Sequence, residues 1–305
     1  MNGANPSQAC QTTWREHRVW SKTAGAIKRD ISFWQGGALA FAGLGAIIET
    51  AAAQLSTSSS GKTLSIIGAV ILALIPVIRG AKLAKDSVRN WIRARSASEG
   101  LKTEIYFYLT QTPPYDGGDR DDQLATRRDQ ITNKVKDLAA EAAVQRNDKP
   151  LPGPLDVNGY IQERVNQQID GFYIPRAQEN ARLLKQARGL EFTLGIAAAA
   201  SGALGAVKGM EQFGAWVAVV TTLAGAVTAH VAAARYEFLA VSYRATAHRL
   251  ESLRDQWLDS QQPAAGAKMT PAEFIKQCED AISMENQGWM ADWLEAKETP
   301  AKQGA

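Results

Sequence analysis

The run SSSGKT at residues 58–63 has the composition of a phosphate-binding loop, because that pattern ends in glycine, lysine and threonine. The full pattern needs a second glycine five residues before Gly61, and Ser56 stands there. It also needs a strand before the loop and a helix after it, whereas this run joins two apolar segments. The sequence therefore does not predict a phosphate site here.

The remaining residues that could do chemistry are scattered. The three histidines belong to no metal-ligand motif: His17, His230 and His248. The two cysteines, Cys10 and Cys278, are too isolated to indicate a metal site or a disulfide framework. The acidic group at 116–122 lacks the glycine and glutamate positions of a calcium loop. We therefore expect no enzyme activity, no catalytic residue, no metal and no cofactor.

One carboxylate follows a long uncharged stretch. Glu49 comes directly after residues 31–48, which carry no charged side chain. A carboxylate inside a bilayer costs several kcal/mol and therefore tends to face a bundle interior or a water-filled path. This cost makes three residues pore-lining candidates: Glu49, Thr50 and His230. The alternative places Glu49 in the outer head-group region, paired with Lys62 or hydrated, and His230 against head groups.

The elements that position these residues are two apolar hairpins. In the first, residues 31–48 and 64–78 flank a Ser-rich turn, and basic residues cluster at both outer ends. Lys and Arg accumulate on the cytoplasmic side of membrane spans, so both ends are predicted to be cytoplasmic and the turn external. In the second, residues 190–207 and 213–234 repeat this plan. The alternative is a soluble, Ala-rich helical hairpin.

The rest of the chain has the composition of long polar helices, and no segment has the sustained alternation of a strand. The predicted fold class is therefore all-α, with two transmembrane hairpins, four spans and long cytoplasmic helices. The Pro-rich run KPLPGPLD at 149–156 separates two predicted domains, 13–148 and 157–296. A weak internal repeat supports them, because Phe33, Gly36 and Gly43 have the same spacing as Phe192, Gly195 and Gly202.

The last predicted helix, 271–295, has an apolar face. Its members are spaced as one helical face: Phe274, Ile275, Cys278, Ile282, Trp289 and Trp293. We expect this face to mediate assembly or to dock a partner. The alternative is that it packs on its own domain.

Several of these helical runs resemble SLATT domains, the two-transmembrane effector domains associated with bacterial nucleotide-second-messenger systems. The second half carries the closer match, in YIQERVNQQIDGFY at 160–173, YEFLAVSYRATAHRLESLRDQW at 236–257 and CEDAISMENQGWMADW at 278–293. The first half is similar to a divergent SLATT domain through WREHRVW at 14–20 and WIRARSASEGLKTE at 91–104. The resemblance suggests a tandem of two such domains.

What the resemblance implies is a multi-pass effector of the bacterial inner membrane with cytoplasmic termini. Such an effector oligomerises and forms or gates a pore when a nucleotide-second-messenger synthase or a sensor protein signals phage attack. The family transfers no catalytic residues. The other partners expected are the lipid bilayer and further copies of the chain, and a net charge of only +3 does not favour nucleic acid. Two other functions stay open, a membrane-anchored scaffold without conductance and a soluble helical interaction protein.

Overall fold

The computed structural model describes residues 7–55, 58–83, 85–141, 150–262 and 268–295, with the backbone alone at 85, 140–141 and 284–295. These residues are helical and contain no strand, which confirms the predicted all-α class. The α-helices are α1 (Gln8–Gln54), α2 (Ser59–Lys82), α3 (Lys85–Leu109), α4 (Arg120–Asn133), α5 (Val157–Tyr160), α6 (Ile174–Gly205), α7 (Gly214–Ala234), α8 (Tyr236–Ser260) and α9 (Pro271–Glu295). Short 3₁₀ segments lie at Lys136–Glu141 and Glu211–Phe213, and the connection between α5 and α6 is π-helical.

The chain forms two compact units, and each takes segments from both halves of the sequence. Unit 1 comprises residues 1–27, 89–177 and 241–305, and unit 2 comprises residues 28–88 and 178–240. The predicted domains at 13–148 and 157–296 divide the chain by repeat instead. That division stays a prediction, and the compact units cut across it.

Unit 1 has the core of a water-soluble helical protein. Large side chains from α1, α3, α4, α8, α9 and the connection between α3 and α4 are buried in it, among them Trp14, Trp91, Leu101, Ile105, Tyr115, Leu124, Leu250, Leu253, Trp257 and Phe274. Burial of large apolar side chains supplies most of the favourable free energy of such folds. Unit 1 is therefore stabilised in the way that is usual for a domain in water.

Unit 2 differs from unit 1, because its helices pack closely at small residues and many of its large apolar side chains are exposed. A Cβ atom on Gly45 would come within 2.5 Å of Leu72 Cδ2, and one on Gly43 within 2.9 Å of Leu223 Cδ2, so helices approach closely at both glycines. The exposed side chains include Phe33, Ile66, Val70, Val77, Leu190, Phe192 and Ile196. In lipid, close packing at small residues holds helices together, and apolar side chains facing outward carry no penalty. Unit 2 therefore has the surface of a membrane bundle.

The membrane prediction is supported for three of the four apolar segments. Within the described residues, three helical stretches are long and apolar enough to cross a membrane: Gln8–Gln54, Ser59–Leu109 and Glu211–Ser260. The segment 190–207 is not among them. Helix α6 ends at Gly205, and the part after Arg188 combines Glu191 with many weakly apolar Ala and Gly residues.

The residues of the predicted internal repeat have partly similar environments in unit 2. Phe33 and Phe192 are both 70% exposed, and a Cβ atom on Gly36 or Gly195 would meet nothing within 4 Å. Seven residues further on, Gly43 and Gly202 both lie against a side chain of α7, Leu223 and Val217 respectively. Gly43 is buried and Gly202 is exposed, however, so the similarity covers the phenylalanine and the first glycine, and the repeat stays a prediction.

Candidate functional site

Glu49 lies near the end of α1, where α1 packs against α2. Its Oε2 accepts a hydrogen bond of 3.2 Å from Ser65 Oγ. A Cβ atom on Gly68 would lie 2.8 Å from Glu49 Oε1, so the absence of a side chain at Gly68 makes room for the carboxylate. Thr50 follows and, like Glu49, is half-buried. The carboxylate therefore sits in a polar niche between two apolar helices.

His230 lies at the opposite end of unit 2 from Glu49. The ends of α1 and the start of α7 are adjacent, because Gln54 Nε2 donates to Gln212 O at 3.5 Å. At 1.5 Å per residue, Glu49 is about 8 Å from that end and His230 about 24 Å from the start of α7. His230 Nε2 instead lies 3.0 Å from Tyr236 Oη, just beyond Arg235 with its left-handed φ of 54°. The three pore-lining candidates therefore do not form one ring, and a pore-lining role for each stays a prediction.

Sequence reasoning missed a second carboxylate in unit 2. Glu191 lies in α6, and its Oε1 accepts a hydrogen bond of 2.7 Å from Thr228 Oγ1 of α7. The nearby Arg188 pairs with Glu237 instead, at 2.7 Å. The sequence does contain a signal for this residue, because Glu191 is the single carboxylate inside the apolar segment 190–207.

The predicted assembly face of α9 is covered by the chain itself. Phe274, Ile275, Cys278 and Ile282 are buried in unit 1. Phe274 stacks on Trp257 with ring centroids 5.3 Å apart and meets Tyr160 edge-on. The predictions for Trp289 and Trp293 fall outside the residues whose side chains are described. The assembly role stays a prediction, but the described side chains follow the alternative of packing on their own domain.

A buried ion pair lies next to that face. Arg164 Nε and Nη2 donate to Glu279 Oε1 and Oε2, each at 2.8 Å, and both side chains are almost completely buried. Glu279 also accepts from Tyr160 Oη at 2.9 Å and from Thr103 Oγ1 at 2.8 Å. Burial alone would lower the pKa of Arg164, but Glu279 beside it raises that pKa overall. Arg164 therefore keeps its charge, and each oxygen of the Glu279 carboxylate accepts two hydrogen bonds.

The other side of Arg164 is also occupied. Its guanidinium lies 4.7 Å from the ring centroid of Tyr106. In the amide orientation that satisfies both donors, the Gln168 oxygen accepts from Arg164 Nη1 at 2.9 Å and from Lys102 Nζ at 3.1 Å. Sequence reasoning quoted Tyr160 and Arg164 within 160–173 and Glu279 within 278–293, but it assigned no role to them. No local pattern shows that residues 115 positions apart will pair.

His17 is buried between α1 and α3. Its Nδ1 lies 2.9 Å from Ser98 O, and because a carbonyl only accepts, Nδ1 carries the proton. Burial, and secondarily Lys102, lower the pKa of His17 to about 4. The ring is therefore neutral at pH 7.

A pocket of about 430 Å³ opens beside the ion pair in unit 1. It is lined by Arg93, Ser96, Ala97, Glu99, Gly100, Thr103, Glu104, Ile131, Lys134, Val135 and Ser283. Two of the charged side chains that line the pocket already bind other residues of the chain. Arg93 makes two hydrogen bonds with Asp137, and Glu104 accepts from Tyr115 Oη at 2.5 Å. The size suits a small ligand, but this charge pattern does not define its chemistry.

Comparison with protein families gives two matches. Residues 160–289 match the family described as SMODS and SLOG-associating 2TM effector domain 1, SLATT_1. Residues 18–123 match a different family, described as Protein of unknown function (DUF4231). The predicted SLATT resemblance is therefore confirmed for the second half, and the tandem is supported only in part. No curated protein and no solved structure matches the chain.

Proposed function

From the effector-domain match at residues 160–289, we propose that this protein is an effector of the bacterial inner membrane that oligomerises and forms or gates a pore. The observation that carries the proposal is the surface of unit 2, where Phe33, Ile66 and Phe192 are each exposed by two thirds or more. Monomeric proteins in water rarely expose contiguous apolar patches of that kind. This surface disfavours the alternative of a soluble helical interaction protein.

The proposed topology has four spans, with α1, α2, α6 and α7 crossing the membrane. The apolar part of α6, residues 189–205, is about 25 Å long at 1.5 Å per residue, a little short of a hydrocarbon core of roughly 30 Å. Local thinning of the bilayer and extension of the long Arg188 side chain toward the interface offset that difference. Basic residues at the outer ends of both hairpins favour a cytoplasmic location for both termini and for residues 89–177.

The activity proposed is conductance and not catalysis. Two carboxylates of unit 2, Glu49 and Glu191, each accept a hydrogen bond from a hydroxyl group of a neighbouring helix and belong to largely apolar helical segments. Such groups in a membrane tend to face a water-filled path. We propose that a partner encoded nearby, a nucleotide-second-messenger synthase or a sensor, triggers assembly.

The second candidate, a membrane-anchored scaffold, predicts the same location but no conductance. The purified protein, reconstituted in vesicles loaded with a self-quenched dye, separates the two. The pore proposal predicts dye or ion release that rises more than linearly with protein density, because assembly is required. Full incorporation into vesicles without release at any density would favour the scaffold.

A further inference from the structure

The helix that leads into α6 is widened within residues 160–173, one of the three runs of the second half that resemble SLATT domains. Ile161–Asn166 and Ile169–Tyr173 are π-helical, so α5, both π segments and α6 form one continuous helix from Val157 to Gly205. The π-helix uses i→i+5 hydrogen bonds, is rare, and occurs mostly as single turns at functional sites. Because two such segments follow each other within residues 160–173, this part of the helix departs from α-helical geometry and is a candidate functional segment.

The π form brings one set of side chains onto one face. Four buried residues follow each other at spacings of four, five and four: Tyr160, Arg164, Ile169 and Tyr173. An α-helix, with 3.6 residues per turn, would spread these positions around the axis. The wider turn therefore allows Arg164 to reach Glu279 while Tyr173 still packs on Tyr243, with ring centroids 6.1 Å apart.

Contacts from three other helices hold this form. Glu279 of α9 binds Arg164 and Tyr160, Thr103 of α3 donates to Glu279, and Arg254 Nη1 of α8 donates to Asn166 Oδ1 at 2.9 Å. Unusual backbone geometry persists only where the surroundings over-determine it. Pro175 contributes from within the helix, because its ring lacks an N–H and clashes with the carbonyl four residues earlier in an α-helix.

We propose that residues 160–173 are a register switch, held π-helical by the Glu279 cluster and able to convert to α-helix when that cluster is released. When one π turn converts to α-helix, the part of the helix that follows it rotates about the helix axis by the angle of one residue, about 100°. The conversion therefore rotates the start of α6, residues 174–177 of unit 1, about the helix axis relative to Tyr160. This inference concerns unit 1 and holds whether or not the protein conducts ions.

The test measures which face α6 presents just after the switch. Ala177 of α6 and Ala247 of α8 are buried and line one small cavity of about 160 Å³. We expect Ala177→Cys with Ala247→Cys to be joined by a short bifunctional thiol reagent in the full-length protein. Single-cysteine variants measure the background from the native Cys10 and Cys278. Conversion to α-helix would turn residue 177 away from residue 247.

Two independent changes are expected to release the switch. Asn166→Ala removes the hydrogen bond from Arg254 Nη1, which the first π segment makes in its present register. Pro175→Ala removes the clash at an exposed position. The control, Tyr115→Phe with Thr246→Val, removes two hydroxyl groups of unit 1 whose hydrogen bonds involve neither π segment. Losing a hydrogen bond from a guanidinium is expected to shift the equilibrium between the two forms about tenfold toward the α-helix, and cross-linking is expected to fall.

A deletion distinguishes a change of register from simple loosening. Removing two exposed residues, Gln167 directly after the first π segment and Gly171 within the second, leaves an α-helix with its original faces. In the released background this deletion is expected to restore cross-linking. Cross-linking that is equal in the released and control variants would overturn the proposal. So would a deletion that fails to restore it.

Discussion

At the scale of single residues, burial decides the protonation state of His17. Its folded pKa of about 4 lies below the usual 6.5, so the folded protein binds a proton less readily than the unfolded chain. The stabilisation from the neutral ring is fully present above pH 6.5 and is lost as the pH falls toward 4. The sequence shows a histidine between Glu16 and Arg18 but gives no sign that Ser98 will meet it.

This pKa shift predicts an acid-sensitive unit 1. Between pH 7 and pH 5, His17 is expected to remove about 2 kcal/mol from the free energy of unfolding. His17→Asn keeps an N–H near Ser98 O but cannot gain a charge, so its free energy of unfolding is expected to lack this component. Chemical unfolding of both proteins in the same detergent at pH 7 and pH 5 measures the difference. Identical pH dependence in the two proteins would contradict the assignment.

A second residue-scale prediction concerns ion selectivity and rests on the proposed pore. If carboxylates from several copies of Glu49 surround an outer mouth, Glu49→Gln is expected to lower the permeability of cations relative to anions in a reconstituted bilayer. Glu211→Gln is the matched control, because Glu211 is exposed in the turn between α6 and α7. A conducting Glu49→Gln protein with unchanged selectivity would remove Glu49 from the pore and leave it in the head-group region.

At the scale of elements, periodicity and charge predicted most helices correctly. The sequence indicated α1, α2 and α7 because apolar runs end in basic clusters. It did not predict the π segments, because their signal is a spacing of buried residues that is visible only when burial is known. It also left the face of α9 open, because an apolar helical face has the same pattern whether it packs internally or on a partner.

The close approach of α6 and α7 can be tested by replacing a glycine. A Cβ atom on Gly205 would lie 2.6 Å from the backbone nitrogen of Gly214, whereas one on Gly195 of the same helix would meet nothing within 4 Å. Backbone cannot move aside as a side-chain end can. Gly205→Ala is therefore expected to destabilise the α6–α7 hairpin by about 1–3 kcal/mol. Thermal denaturation in detergent measures this loss, with Gly195→Ala as a control near wild type; equal behaviour of the two variants would contradict the close approach.

At the scale of the whole molecule, one chain combines two kinds of packing. Unit 1 buries large aromatic and aliphatic side chains around the Arg164–Glu279 pair. Unit 2 packs its helices closely at glycines and exposes many of its large apolar side chains, including Phe33, Ile66 and Val70. The first pattern suits water and the second suits lipid. Segments of unit 1 and unit 2 alternate along the chain. A division of the chain into two repeats therefore could not predict which distant segments form each unit.

The central claim is that both hairpins of unit 2 cross the membrane with their turns outside. Labelling with a membrane-impermeant thiol reagent tests it most directly. Cys10 and Cys278 are buried and so provide a silent background. The reporters are exposed residues: Ser60→Cys in the first turn, Lys208→Cys in the second and Asp122→Cys in unit 1. Ser60 is preferred to Ser58, because Ser58 Oγ accepts from Gly61 N and caps α2.

In cells whose inner membrane is intact but accessible from outside, the four-span topology predicts labelling of Ser60→Cys and Lys208→Cys. Asp122→Cys is expected to react only after the membrane is permeabilised. Protection of Lys208→Cys until permeabilisation would show that α6 and α7 do not cross as a hairpin. Labelling of Asp122→Cys from outside, with Ser60→Cys protected, would contradict the orientation.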